Sequence, residues 1–250
     1  MEKGYAYNSS NPTHPNLDFV GKISPFCENE TCCSCVLISP GHILTAWHCL
    51  TSPCGDFCIQ FPKGRKNNIK EFQRIGRSDI AVASLEKLEN IKPISLAPMP
   101  MKIGQFTILA GYGVNQGRFD LRFGFAKVTK LFGDKILCDD QNSLSPIATS
   151  GDSGGPVLAH NGKDIFVAGI ISKSYNDSCC ISTYFQEILS YCFLSNRMKK
   201  DRFNELCYFE TGRRGLVENG FASDQTDDWI DIDNWLTKQI DNRSKDNGLV

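Results

Sequence analysis

Ser153 stands in the run Gly151-Asp152-Ser153-Gly154-Gly155-Pro156, a setting in which a serine hydroxyl could act as a nucleophile. A hydroxyl is weak alone. It needs a base within hydrogen-bond reach and donors for the oxyanion it would create. Gly151 lets the backbone turn so that its own N–H and that of Ser153 converge, and the later glycines keep side chains away from an incoming carbonyl. The bland alternative is a polar turn between two strands. His48 closes the apolar run Ile43 to Trp47 and is followed by Cys49. A base at the tip of a buried strand would be held rigidly, as proton transfer requires, although one lone histidine is more simply a satisfied core residue. Asp79 leads the apolar run Ile80-Ala81-Val82-Ala83. A buried carboxylate there needs donors, and an imidazole N–H is a suitable one; an ordinary turn aspartate has the same look. A third chemistry would use Cys27, Cys32, Cys33, Cys35, His48 and Cys49 as zinc ligands. Their spacings match no regular finger and disulfides account for the same residues, so no metal and no cofactor is expected.

The elements that must position these groups read as strands. Cys35–Ile38, Ile43–Trp47, Ile80–Ala83, Phe106–Ala110 and Phe166–Ile171 are short, rich in β-branched or aromatic residues, and separated by Gly, Pro, Asn and Asp. The expectation is an all-β sandwich or barrel over residues 17 to 172, divided near Ile91 to Met101, where Pro93, Pro98 and Pro100 cluster. From Tyr184 the texture changes. Phe185, Ile188, Leu189, Cys192 and Phe193 recur at helical spacing, Trp229–Ile232 reads as a strand, and Asn234–Ile240 reads as a closing helix.

At 250 residues, with 41% hydrophobic and 22% charged residues, the chain is ordinary for a globular protein, which argues against disorder throughout. A net charge of −1 without a basic stripe gives no footprint for nucleic acid, and no apolar run is long enough to span a bilayer. Twelve cysteines and sequons at Asn8, Asn29, Asn176 and Asn242 point to an oxidising compartment and a secreted glycoprotein. Residues 1 to 11 hold no apolar stretch of the signal-peptide kind, so the true start is expected upstream or trimmed.

The order His48, Asp79, Ser153 and the motifs around them resemble the chymotrypsin/trypsin family of serine proteases. Leu44-Thr45-Ala46-Trp47-His48-Cys49 is similar to the family's histidine motif, Asp79-Ile80-Ala81 to its aspartate motif, Gly111-Tyr112-Gly113 to its Gly-Trp-Gly, and Gly169-Ile170-Ile171-Ser172 to the strand along which substrate lies. The resemblance covers roughly residues 4 to 175 and 229 to 240. It implies two antiparallel six-stranded β-barrels, the first at about 1–95 and the second at about 100–250, with a C-terminal helix and a cysteine-rich, partly helical insertion at about 175–226. It implies a monomeric endopeptidase acting on polypeptides through His48, Asp79 and Ser153. Gly151 and Ser153 would form the oxyanion hole, and a Cys33–Cys49 disulfide would brace the histidine. It further implies a zymogen whose freed N-terminus pairs with Asp152, with Gly4-Tyr5-Ala6 lying just inside that terminus.

Specificity residues depart from the family. Ile147 stands where trypsin-like enzymes carry the aspartate that binds Lys or Arg, Thr149 stands in place of a disulfide cysteine, and the His48–Asp79 spacing is short. Ser172 and Ser174 match the substrate-flanking strand, with Lys173 between them, and Asp227 falls near a wall of the same pocket. The insertion would restrict access or bind a partner or inhibitor protein; plain packing against the barrel is its bland alternative. The unusual N-terminus leaves a second reading, a weak or inactive homologue that serves as a secreted binding module.

Overall fold

The computed structural model describes residues 5–7, 14–25, 33–51, 56–75, 78–97, 101–114, 116–132, 135–139, 149–160, 164–175 and 178–182. Within them the fold is β throughout except for one 3-10 turn. Thirteen strands follow in chain order: β1 Tyr5–Ala6, β2 Val20–Pro25, β3 Cys33–Ser39, β4 His42–Thr45, β5 Phe57–Gln60, β6 Asn67–Arg74, β7 Ala81–Leu85, β8 Phe106–Gly111, β9 Arg122–Phe132, β10 Lys135–Asp139, β11 Pro156–His160, β12 Ile165–Tyr175 and β13 Ser178–Ser182.

Strands β2-β3-β4-β7-β6-β5 close into a barrel. The second sheet runs β1-β9-β10-β13-β12-β11-β8, and β8 pairs again with β9, so six of its strands return on themselves. All pairings between these strands are antiparallel. This is the trypsin-like double-barrel architecture that the sequence implies.

The short apolar runs become strands because each supplies side chains to a core on at least one face. All of β3 is buried, Ser34 and Ser39 included, so the usual alternation is lost. One face of β3 fills the first barrel, and Ser34 turns toward Gly151 and Tyr112 of the second. The crossover between barrels is laced to both: Ile94 N–H donates to Leu37 O at 3.0 Å, and Ala97 N–H to Val167 O at 2.8 Å.

Two placements differ from the expected layout. β1, near the start of the chain, joins the second sheet, where Tyr5 faces Phe123. β13 falls within the stretch read as an insertion and pairs with both β10 and β12. The β12–β13 pairing runs from Ile170 opposite Ser182 to Tyr175 opposite Ser178. The expected helices, the Trp229–Ile232 strand and the rest of the insertion lie outside the described residues.

Candidate active site

His48 does not end a strand. β4 stops at Thr45, Ala46 is extended, and Trp47–Leu50 form the 3-10 turn that carries the histidine. Asp79 holds this turn at three points. Its carbonyl accepts from Trp47 N–H at 3.2 Å, its Oδ1 accepts from His48 N–H at 3.0 Å, and its Oδ2 lies 2.7 Å from His48 Nδ1. An ionised carboxylate can only accept, so Nδ1 carries the proton and Nε2 is left as the basic nitrogen of the neutral ring.

Ser172 Oγ donates to the same Asp79 Oδ2 at 2.6 Å. Partial burial pushes the Asp79 carboxyl up and is the largest single influence. The bonds from the His48 ring, the Ser172 hydroxyl and the His48 N–H, with the attraction of His48, together outweigh it and hold the carboxyl below its ordinary value. His48 keeps 42% of its side chain exposed against 21% for Asp79, so the ring faces solvent while its anchor is covered.

The Ser153 hydroxyl is half-buried and donates to Ser172 O at 3.3 Å. Ser172 therefore touches both ends of the constellation, the Ser153 hydroxyl through its carbonyl and the Asp79 carboxylate through its hydroxyl. The chain around Ser153 bends at Gly151 (φ +99°) and Gly154 (φ +85°), where an L side chain would be strained. At Gly154 a Cβ would also strike Ser34 O and Thr45 Oγ1.

Asp152 is 2% exposed and its acceptors are filled by the second sheet's loops. Oδ1 accepts from Gly113 N–H at 2.7 Å, and Oδ2 accepts from Thr149 N–H at 2.9 Å and Thr149 Oγ1 at 3.1 Å. Burial dominates and raises its pKa, while these bonds and the charge of buried Arg122 work in the opposite direction. Residues 1 to 4, which hold the expected N-terminal partner, lie outside the described residues, as do Ile147 and Asp227. Ser174 lies in β12 opposite Cys179.

A disulfide joins Cys33 of β3 to Cys49 beside His48. Sulfur or nitrogen atoms of Cys33, Cys49 and His48 lie within 4.8 Å of one another, but the two sulfurs are bonded together and offer no thiolate to a metal. Cys35 and Cys58 form no disulfide, and burial drives the Cys35 thiol strongly upward.

A family model, the trypsin-like peptidase domain, matches residues 33–170, more than half of the chain. The chain belongs to this family. No curated protein matches the chain. Membership in the trypsin-like peptidase family makes this a protease-type fold and polypeptides its substrate class. The matched span contains His48, Asp79 and Ser153 and stops just before Ser172. Three further residues hold the constellation: Thr149, which stands where a cysteine is expected, donates to Asp152; Ser172, expected beside the substrate, donates to Asp79; and Ser34, a lone serine between two cysteines in an apolar strand, reaches Gly151.

Proposed function

We propose that the protein is a serine endopeptidase that cleaves polypeptides through an acyl-enzyme intermediate. The observation that carries this reading is the shared anchoring of His48 and Asp79: the carboxylate holds both the ring Nδ1 and the backbone N–H of the histidine, with Ser153 linked to the same point through Ser172. In this reading His48 Nε2 takes the proton of Ser153 Oγ as the oxygen attacks the peptide carbonyl. The oxyanion rests on the N–H groups of Gly151 and Ser153, and collapse of the tetrahedral adduct expels the amine, which leaves with the proton from His48. Water then enters by the same route, giving its proton to His48 and its oxygen to the acyl carbon, and Ser153 recovers its proton as the acid departs. Asp79 stays ionised throughout, orienting the ring and steadying the imidazolium.

Ile147, Ser174 and Asp227 remain the proposed substrate contacts, with Ser172 lending its backbone to the substrate-flanking strand. Twelve cysteines and four sequons support secretion of a disulfide-braced glycoprotein. A fluorophosphonate probe tests the reading. The protein should be labelled, label should map to Ser153, and Ser153→Ala should abolish both labelling and peptide cleavage, a loss of about 10^6 in kcat for a triad nucleophile. Folded protein that neither labels nor cleaves a peptide library is instead the binding module.

A further inference from the structure

Ser34 is fully buried in a strand whose neighbours are apolar. A buried hydroxyl is costly unless its hydrogen bonds are made, and here they are made across to the other barrel. Ser34 Oγ donates to Gly151 O at 2.7 Å and accepts from Tyr112 N–H at 2.8 Å. Its backbone N–H donates to Ser153 O at 2.7 Å, and its carbonyl accepts from Thr45 Oγ1 at 2.8 Å. One residue of the first barrel thus grips the loop that carries the nucleophile at two carbonyls.

Those carbonyls matter because a peptide unit is planar and trans, so fixing its C=O fixes the N–H on its opposite side. The Gly151 N–H belongs to the peptide whose carbonyl is Ser150 O, and Val114 N–H holds that carbonyl at 2.8 Å. The Ser153 N–H belongs to the peptide whose carbonyl is Asp152 O, and Gly155 N–H holds that one at 3.0 Å. Between them lies the Gly151–Asp152 peptide, whose N–H donates to Thr149 O at 3.1 Å within its own loop and whose carbonyl is held from the other barrel by the Ser34 hydroxyl at 2.7 Å. Gly151 has no side chain to resist rotation, and glycine accepts either sign of φ. The middle peptide is therefore the joint at which the two converging N–H groups can fall out of alignment; the bond to Thr149 O is local to the same loop and moves with it, whereas Ser34 Oγ ties the peptide to the wall of the other barrel.

We propose that Ser34 is a positioning residue for the oxyanion hole, coupling the wall of the first barrel to the N–H groups of Gly151 and Ser153. The proposal rests on the serine-peptidase reading above. It requires no contact between Ser34 and substrate, and it makes the hydroxyl, not merely the packing of β3, the part that counts.

The experiment compares the full chain with Ser34→Ala and with Ser34→Gly, both of which remove the hydroxyl and add no atom to the buried site. Three quantities are read: kcat and KM on a peptide drawn from the wild-type cleavage profile, the rate of fluorophosphonate labelling, and affinity for a peptide aldehyde, whose adduct with Ser153 places an oxyanion in the hole. Loss of one direct donor to an oxyanion costs about 10^2–10^3 in kcat, so loss of a support for the donors should cost about 10–100-fold. The same factor should appear in labelling rate and aldehyde affinity, with KM changed less than about twofold, in whichever variant keeps the wild-type near-UV spectrum. Equal kcat, labelling and aldehyde affinity in wild type and variants overturn the inference. So does a variant whose activity loss tracks only its fraction unfolded and vanishes on cooling. Wild-type protein that fails to label at all overturns the peptidase reading itself, a different result from matched labelling in wild type and variant.

Discussion

Ser172 Oγ donates to Asp79 Oδ2 at 2.6 Å, the oxygen that also faces His48 Nδ1 at 2.7 Å. Two donors on one carboxylate oxygen fix its direction better than one, because the imidazole ring can follow only as far as that oxygen moves. Hydrogen bonds to charged groups contribute about 1.5–3 kcal/mol. Ser172→Ala should therefore lower kcat by about tenfold with little change in KM, since the backbone carbonyl that faces Ser153 remains in place. Steady-state kinetics on a peptide substrate checks this. Asp79→Asn should be far worse, about 10^4 in kcat, because an amide that donates toward Nδ1 favours the wrong ring tautomer.

The half-buried Asp79 and the buried Asp152 should act on stability in opposite directions with pH. Asp79 has a folded pKa below its ordinary value, so the stability it adds is present above the unfolded carboxylate pKa of about 3.9 and is lost as pH falls through the folded pKa. Asp152 has a raised folded pKa, so its contribution is full below about 3.9 and is lost as pH rises toward the folded value. Denaturant titrations between pH 3 and about 7 separate the two. Asp79→Asn should remove an acid-side loss of stability, and Asp152→Asn should remove a fall that accompanies rising pH. A wild-type profile unchanged by both substitutions would contradict these assignments.

Glycine positions around Asp152 should tolerate no Cβ. At Gly113 the added carbon would collide with the Asp152 carboxylate and the Thr149 hydroxyl, both already tied in hydrogen bonds. At Gly154 it would meet Ser34 O and Thr45 Oγ1, and φ there is +85°. Overpacking a filled site costs about 1–3 kcal/mol, and Gly154→Ala adds backbone strain of a further 1 kcal/mol or so. Thermal unfolding should rank the variants wild type, Gly113→Ala, Gly154→Ala in falling Tm, and both variants should label slowly with a fluorophosphonate.

The residues that could do chemistry were legible because type, order and neighbours carried them: His48 before Cys49, Asp79 before an apolar strand, Ser153 among glycines. The strands were legible from short β-branched runs, and five of those runs are strands or lead into one. What supports those three residues was not legible. Ser172 reaches Asp79 across 93 residues and Ser34 reaches Gly151 across 117, and no local period encodes such contacts. β13 was hidden for a different reason. Its cysteines and its place before a helical pattern suggest a separate lobe, whereas its pairing with β10 is settled by the unsatisfied edge of a strand distant in sequence. Ile147 and Asp227 fall outside the described residues, so substrate preference must come from cleavage profiling.

The disulfide between Cys33 and Cys49 offers a last prediction that separates stability from positioning. The two residues are 16 apart in sequence, and a loop of that size gives a cross-link worth about 3 kcal/mol in the chain-entropy account. The bridge also ties the 3-10 turn of His48 to β3 one residue from Ser34, so it fixes the proposed base and the proposed oxyanion support to the same strand. Cys33→Ala/Cys49→Ala should lower stability by roughly that amount in denaturant titrations. It should also reduce kcat at temperatures where the variant is fully folded, because the turn then keeps its bonds to Asp79 but loses its covalent tie to β3. Both sulfurs are nearly buried, at 4% and 3% exposure for the two residues, so a mild thiol reductant should reproduce the loss slowly and only as fast as the barrel opens. Rapid loss in reductant under native conditions would instead place the sensitive bridge elsewhere in this cysteine-rich chain.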